Sequence, residues 1–309
     1  MIYNTYGGND DCHACINYIT DGGDIMIENI RALAADIDMT LTAKGGDLPE
    51  LTRKAFDVLH ANGVLLGLAT GRELNDRLYN QGAEWGLDYP FDFLIGMNGG
   101  QICDLNHKCD WTMDLMSRET MKDILTYMMP LIEKYEVSVN VEGGGNHAAM
   151  YIKGELFASM KRRGWKFDDY TGDIDGFCAK PCFKILFRTT PEVEQMIRKM
   201  IPEKYGDRFQ CVGTFPGTVE VMDKNITKGS GLVKFAQAND IDIKEIIAFG
   251  DNENDNSLLE EAGWGVCLAN GSDGTKAVAD DVTELDCFAG GAGDYLIEKY
   301  LKPKGLWTE

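Results

Sequence analysis

Short apolar segments alternate with amphipathic segments in the first third of this chain, and this pattern constrains the fold more than any other feature. The segment IRALAAD (30–36) is a nearly continuous apolar run, typical of a strand buried on both faces of a parallel sheet. Leu51, Ala55, Val58 and Leu59 then recur at helical spacing. The same reasoning predicts a strand at 64–70, a helix at 73–85 and a strand at 91–98.

The alternation is interrupted after Gly100 and resumes near residue 245, where two further strands are each followed by a helix. The intervening pattern is mixed, with predicted helices at 118–135 and 191–200 and predicted strands at 136–142, 148–153 and 182–188. We therefore predict a doubly wound α/β core with a Rossmann-like parallel sheet, formed by residues 28–100 and 214–309. Residues 101–213 are predicted to form an inserted α+β domain, and residues 1–27 an N-terminal extension.

Composition and charge restrict the partners of such a chain. Its 309 residues are enough for two ordinary domains, and 44% hydrophobic with 26% charged residues is typical of a soluble globular protein. The net charge of −20 opposes binding to nucleic acid. No apolar run approaches the ~18 residues that span a bilayer, and the first residues do not resemble a secretory signal. We expect a cytoplasmic protein that binds neither nucleic acid nor membranes.

The nine cysteines are too few for a disulfide scaffold, and their odd number fits free thiols in a reducing compartment. Cys12 and Cys15 have the spacing of a zinc or redox site, with His13 between them. Because no second pair with this spacing completes a zinc site, we interpret them as free cysteines.

Polar side chains lie where the predicted strands end, which is where open α/β sheets bind ligands. Lys228 opens a predicted helix, and the strand ends contribute Asp36, Asp38, Thr70, Gly71, Arg72, Asn98, Asp251, Asn254 and Asp255. Residues two apart in extended chain point the same way, so Asp36 and Asp38 are expected to face one site. Clustered carboxylates repel unless a cation offsets their charge, and Mg²⁺ prefers such oxygen ligands. With an ammonium and a hydroxyl group nearby, the set predicts a site for a phosphoryl group.

Four segments in this order, DIDMT (36–40), LATGR (68–72), TKG (227–229) and GDNEND (250–255), resemble the motifs of the haloacid dehalogenase superfamily of phosphatases. The insertion after the second motif is similar to the α/β cap of the Cof-like, sugar-phosphatase branch. The resemblance covers nearly everything from residue 28 to residue 301. It implies that the core is catalytic and that the insertion at 101–213 is a cap that sets substrate specificity.

The resemblance also implies a role for each catalytic residue. Asp36 would be the nucleophile that forms an aspartyl phosphate. Asp38 would be the general acid for the leaving alcohol and then the general base for the attacking water. Thr70 and Lys228 would hold the transferring oxygens, and Lys228 would also shield the attack of one anion on another.

Metal and substrate contacts follow from the same resemblance. Asp36 and Asp251 would bind Mg²⁺ through their carboxylates, and Asp38 would bind it through its backbone carbonyl. Asp255 would support the metal or Lys228. The predicted substrate-binding residues are Gly71, Arg72, Asn98 and Asn254. Met39 departs from the pattern of the family, whose members often have a small residue there, and its side chain is expected to narrow the pocket or to pack under the cap.

Several of these residues also have ordinary structural interpretations. The two aspartates can end a strand and cap a turn, and Thr70-Gly71 can be a simple turn. Arg72 can bind substrate or pair with a surface acid. Within the insertion, KRRGWK (161–166) can bind an anionic substrate or be a solvated helix face, and EGGGNH (142–147) is interpreted as a flexible hairpin.

The leading hypothesis is a Mg²⁺-dependent phosphatase of small phosphorylated metabolites, above all sugar phosphates. A phosphomutase would keep the same motifs but return the phosphoryl group to a bound sugar. A non-catalytic protein that binds a phosphorylated ligand would have no need of the clustered acids. A signalling receiver domain also forms an aspartyl phosphate, but it would be much shorter and would not need Asp38.

Overall fold

A computed structural model describes residues 29–105, 109–112, 115–142, 148–150 and 168–308, and every structural statement below concerns these residues. The predictions for the N-terminal extension, including Cys12 and Cys15, lie outside the described residues. So do the basic segment at 161–166 and, apart from Glu142, the hairpin predicted at 142–147.

The first sheet confirms the predicted α/β core. Its strands, numbered along the chain, are β1 (Ala32–Ala35), β2 (Leu65–Ala69), β3 (Phe93–Gly96), β4 (Gln101–Asp104), β5 (Cys109–Thr112), β12 (Ile246–Gly250), β13 (Trp264–Cys267) and β14 (Asp281–Val282). Their order is β14-β13-β12-β1-β2-β3-β4-β5. β1 pairs in parallel with both β12 and β2, which places it in the middle of the sheet. The pairings of β4 with β3 and with β5 are antiparallel.

Helices cover both faces of this sheet because successive strand residues point to opposite sides. Leu33 packs into an apolar cluster with Phe56, and Ala34 packs into another cluster with Phe235. The helices of the core are α1 (Glu50–Ala61), α2 (Asp76–Tyr79), α3 (Gln81–Glu84), α7 (Lys228–Ala238), α8 (Asn256–Glu261), α9 (Asp273–Val278) and α10 (Gly291–Leu296). The prediction of one helix over 73–85 is wrong, because α2 and α3 are separate turns and the Asn75 side chain caps the first.

A second sheet has its own apolar core. Its strands are β6 (Ser138–Glu142), β7 (Ala148–Met150), β8 (Asp168–Asp169), β9 (Lys184–Arg188), β10 (Phe209–Phe215) and β11 (Thr218–Asp223), in the order β10-β11-β9-β6-β7-β8. The helices of this region are α4 (Arg118–Tyr135), α5 (Ile174–Phe177) and α6 (Pro191–Tyr205). Buried side chains of α4 and α6 join those of β6, β9 and β11 in one cluster.

Sheet membership divides the chain at other positions than the predicted limits of 101 and 213. Residues 101–112 form β4 and β5, which extend the first sheet, whereas residues 218–223 form β11 of the second sheet. The described chain therefore leaves the first sheet after Thr112 and returns to the core after Asp223. In the part of the chain that the structure describes, no helix is both long enough and apolar enough to cross a membrane.

Candidate active site

The predicted polar residues meet at the carboxyl edge of the first sheet, because parallel strands end there together. Asp36 follows β1, Thr70 follows β2, and Asp251 follows β12. The turn at 97–99 follows β3, and α7 begins beside it.

Lys228 lies at the centre of this group and is fully buried. Its Nζ donates to Asp36 Oδ1 at 2.5 Å and to Asp255 Oδ1 at 2.6 Å. Burial opposes the charged form of Lys228, but attraction to Asp255 and Asp36 outweighs it and raises the pKa of the ammonium group. The local sequence fixes its position, since the Thr227 side chain accepts from the Ser230 N–H and so starts α7 at Lys228.

Asp255 holds both Lys228 and the loop after β12. Its Oδ2 accepts from the backbone N–H groups of Asp251 at 3.0 Å and Asn252 at 3.1 Å. The loop passes so close to Asp255 that a Cβ at Gly250 would lie 2.4 Å from the Asp255 Cβ, which explains the glycine. Both carboxylate oxygens of Asp255 are therefore engaged, and its predicted role as a support of the metal or of Lys228 stays a prediction.

Thr40 positions the second carboxylate of the group. Its hydroxyl donates to Asp251 Oδ1 at 2.8 Å and links the first motif to the last. Thr40 belongs to the DIDMT motif, but no role was predicted for it. The feature that could have pointed to Thr40 is its place in the hydroxyl-rich turn that follows the two aspartates.

The carboxylates carry more negative charge than Lys228 balances. One oxygen from each of Asp36, Asp251 and Asp255 lies within 4.8 Å of the others. Burial raises the pKa of Asp36 to about 8. The charge of Lys228 lowers this pKa, whereas the charges of Asp255 and Asp251 raise it further. Burial and the charge of Asp255 raise the pKa of Asp251 to about 6. A compact set of anionic oxygens with excess charge fits a divalent cation such as Mg²⁺.

Asp38 lies at the edge of this group and binds Arg72. The guanidinium contacts both carboxylate oxygens, from Nη2 to Oδ1 at 2.6 Å and to Oδ2 at 2.5 Å, and from Nε to Oδ2 at 3.1 Å. The charge of Asp38 also raises the pKa of Asp251, although less than burial and the charge of Asp255 do. The partner of Arg72 is therefore the predicted proton carrier, a pairing that the sequence did not reveal.

Thr70 is buried, and its Oγ1 accepts from the Arg72 N–H at 3.2 Å. A hydroxyl group that accepts one hydrogen bond keeps its proton for another acceptor. This arrangement is compatible with the predicted contact between Thr70 and a transferring oxygen.

Asn98 is buried, and both ends of its amide have partners. Nδ2 donates to Glu220 Oε2 at 2.7 Å, and Oδ1 accepts from Asn254 Nδ2 at 3.3 Å. Its backbone has φ 54° and that of Met97 has φ 51°, both left-handed. Such conformations cost about 1–3 kcal/mol each in residues other than glycine and persist where surrounding contacts impose them.

The second sheet and helix α6 contribute contacts that were not predicted from the sequence. Lys184 Nζ donates to the Gly71 carbonyl at 2.9 Å and to Glu220 Oε1 at 3.0 Å. On α6, Arg198 Nη1 donates to Glu253 Oε1, in the loop after β12, at 3.0 Å. The sequence did contain an indication, because Lys184 directly precedes the apolar run at 185–187 and Glu220 lies between Val219 and Val221.

Met39 has a left-handed backbone, with φ 69°. Glycine adopts this conformation at little cost, which gives a backbone reason for a small residue at this position. The Met39 carbonyl accepts from Asn270 Nδ2 at 2.7 Å. Its predicted effect on the pocket stays a prediction.

The chain is similar in sequence to known proteins. The sequence profile of the haloacid dehalogenase-like hydrolases matches residues 33–295. The 5-amino-6-(5-phospho-D-ribitylamino)uracil phosphatase of Bacillus subtilis is 26% identical over 262 residues, 84% of this chain and 91% of that protein. The HMP-PP phosphatase of Yersinia enterocolitica is 22% identical over 243 residues, 78% of this chain and 84% of that protein.

Solved structures show the same fold. A subclass IIB sugar phosphatase of this superfamily superposes with a TM-score of 0.72 at 23% identity, covering 90% of this chain and 100% of that one.

Proposed function

Because this chain belongs to the haloacid dehalogenase-like hydrolases, we propose that it is a Cof-like phosphatase that hydrolyses small sugar phosphates with the help of Mg²⁺. One observation carries the proposal. Lys228 is buried between Asp36 and Asp255, at the strand ends where Asp251 adds a third carboxylate oxygen. The named relatives act on a phosphoribityl compound, on HMP-PP and on sugar phosphates, which supports a small phosphorylated metabolite as substrate.

Asp36 is the proposed nucleophile. One of its carboxylate oxygens attacks phosphorus, the bond to the leaving alcohol oxygen breaks, and an aspartyl phosphate forms. Water then attacks phosphorus, and the bond to the Asp36 oxygen breaks to release inorganic phosphate. Lys228 holds Asp36 in place and offsets the repulsion between the carboxylate and the phosphoryl oxygens.

Asp38 is the proposed proton carrier. It gives a proton to the leaving alcohol in the first step and takes one from the attacking water in the second. The two Arg72 nitrogens orient its carboxylate, which is only partly buried and therefore accessible to both water and substrate. The proposal assigns contacts with the transferring oxygens to Thr70. It assigns contacts with substrate to Gly71, Arg72, Asn98 and Asn254.

Mg²⁺ fits the donor set, and Asp36 and Asp251 would hold it, together with the Asp38 carbonyl oxygen that the family resemblance implies. When bound, the ion would supply positive charge for the phosphoryl oxygens. Asp255 would keep Lys228 and the Asp251 loop in position.

A phosphate-release screen tests this function directly. The full chain is incubated with a panel of sugar phosphates and other phosphorylated metabolites, with Mg²⁺ or with excess EDTA. We expect phosphate release from at least one sugar phosphate with Mg²⁺ and none with EDTA. Full activity in EDTA would refute the metal requirement. An isomerised sugar phosphate without free phosphate would instead indicate a phosphomutase.

The effect of Mg²⁺ on stability is expected to depend on pH. The pKa of Asp36 rises from 3.8 to about 8, and that of Asp251 from 3.8 to about 6, so both acids bind protons more tightly in the folded protein. Without metal, the two protonated acids therefore stabilise the folded protein fully below about pH 4. This stabilisation is lost as the pH rises through the folded-state pKa values of about 6 and about 8. Because the ion must displace these protons, Mg²⁺ should raise Tm more at pH 8 than at pH 6.

Thermal unfolding at both pH values, with and without Mg²⁺, measures this difference. The Asp251→Asn variant is the control, since it removes a proposed ligand and should show a much smaller effect of Mg²⁺. Equal shifts of Tm at pH 6 and pH 8, or an undiminished shift in Asp251→Asn, would contradict the prediction.

A further inference from the structure

A buried ion pair in the second sheet contacts the candidate site, although no step proposed above uses it. Lys184 of β9 and Glu220 of β11 lie 3.0 Å apart, and their side chains are only 2% and 6% exposed. Removing two such charges from water is costly, and a well-packed apolar pair is often at least as stable. Stability alone therefore does not explain why an ion pair is buried at this position.

Each member of the pair also binds a loop of the first sheet. Lys184 Nζ donates to the carbonyl of Gly71, which follows β2. Glu220 Oε2 accepts from Asn98 Nδ2, in the turn that follows β3. The two loops hold four residues proposed to contact substrate or transferring oxygens, namely Thr70, Gly71, Arg72 and Asn98.

Glu220 determines the orientation of the Asn98 amide. An ionised carboxylate only accepts hydrogen bonds, so the NH₂ group of Asn98 must face Glu220 and its oxygen must face away. That oxygen accepts from Asn254 Nδ2. Glu220 is thereby connected through Asn98 to the loop that carries Asp251 and Asp255.

The turn that contains Asn98 is held by backbone hydrogen bonds and lies against the residue that precedes β9. Met97 and Asn98 both have left-handed backbones, and their N–H groups donate to the carbonyls of Arg72 and Thr70. A Cβ at Gly100 would lie 2.5 Å from the ring of Phe183, the residue before Lys184. The start of β9 therefore packs directly on the turn.

We propose that Glu220, with Lys184 as its charge partner, is a positioning residue for phosphoryl transfer. It holds the turn at Asn98 and the loop at Gly71 in their active conformation from the second sheet. The inference rests on the proposed function and extends it, because it makes the second sheet a support for the catalytic geometry. A displacement of β9 and β11 would release both loops.

Two double variants isolate the contact with Asn98. Lys184→Met with Glu220→Gln removes both charges but keeps a side-chain oxygen that can accept from Asn98. Lys184→Met with Glu220→Leu removes the charges and the acceptor. Both lack the Lys184 contact with Gly71, and neither leaves a charge buried alone, so the comparison reports on the acceptor at position 220.

We expect kcat for p-nitrophenyl phosphate to be about 10- to 100-fold lower in the Leu double variant than in the Gln double variant, with similar KM. The assay is run well below the lower of the two melting temperatures, so that a loss of folded protein cannot produce the difference. A control with Lys122→Met and Asp175→Asn removes an exposed ion pair of the second sheet region and should retain the activity of the unaltered chain. Equal kcat in the two position-220 variants would overturn the proposal.

Amide hydrogen exchange supplies a measurement that needs no catalysis. In the Leu double variant, the N–H groups of Met97 and Asn98 should exchange at least roughly tenfold faster than in the Gln double variant. If the unaltered chain released no phosphate from any substrate, the proposed function would fail and exchange alone would decide whether Glu220 holds the turn. Equal exchange rates in the two variants would show that Glu220 does not hold the turn, whether or not the chain is an active phosphatase.

Discussion

The Asp36→Asn variant is expected to lose phosphatase activity with every substrate, with kcat lower by at least roughly 10⁴-fold. The amide keeps the shape of the side chain but is a far weaker nucleophile than the carboxylate. No aspartyl phosphate should therefore form. Rapid acid quench followed by intact-mass measurement looks for one added phosphoryl group, which peptide mapping of the unaltered chain should place on Asp36.

Loss of activity in this variant should not reflect unfolding. Burial raises the pKa of Asp36 to about 8, so the folded protein disfavours the charge that the substitution removes. Without Mg²⁺ at pH 8, Tm should stay level or rise. Asp88→Asn is a matched control, because it neutralises an exposed aspartate outside the site and should leave activity unchanged. A phosphoryl group on the Asp36→Asn protein at the level of the unaltered chain would exclude Asp36 as the nucleophile.

The Asp38→Asn variant should separate the two chemical steps. The nucleophile remains, and p-nitrophenolate leaves as a stable anion that hardly needs a proton. Phosphorylation by p-nitrophenyl phosphate should therefore continue. Hydrolysis of the aspartyl phosphate should slow by ~10² to 10⁴, the usual contribution of a general base. Phosphoenzyme should accumulate.

The same quench and mass measurement detects this accumulation. An alkyl phosphate is the informative second substrate, because its leaving group needs a proton and phosphorylation itself should then slow. The amide oxygen that Asp38→Asn leaves in place can still accept from Arg72, so the local structure should be kept and Tm should change little. Phosphate attached to residue 38 in the unaltered chain, or a phosphoenzyme that turns over at the normal rate in Asp38→Asn, would contradict the assigned role.

The hydrophobic periodicity of the sequence was sufficient to predict most helices and strands of the core. The helix predicted at 118–135 has those limits in the structure, and the predicted strands at 30–36, 64–70 and 245–251 contain β1, β2 and β12. The carboxyl ends of parallel strands share one edge of the sheet. Polar residues that follow these strands in the sequence are therefore neighbours in the structure. This is how Asp36, Asp251 and Asp255 were grouped before any distance was known.

Sheet membership was harder to predict than the strands themselves. Residues 218–223 lie within the predicted core segment 214–309, but β11 pairs with β9 and β10 in the second sheet. Residues 101–112 were assigned to the insertion, but β4 and β5 extend the first sheet. A strand has the same periodicity in either sheet, so its sequence does not identify its neighbours.

The sequence by itself determined the alternating core and the chemical types gathered at its edge, since both follow from local periodicity and from the order of strands. Only the tertiary structure decided which side chains orient those groups. Arg72 binds Asp38 across 34 positions, and Glu220 binds Asn98 across 122 positions. The first pair depends on how two loops meet at the edge of one sheet, and the second depends on how two sheets pack. Neither pair has a fixed spacing in the sequence that would predict it.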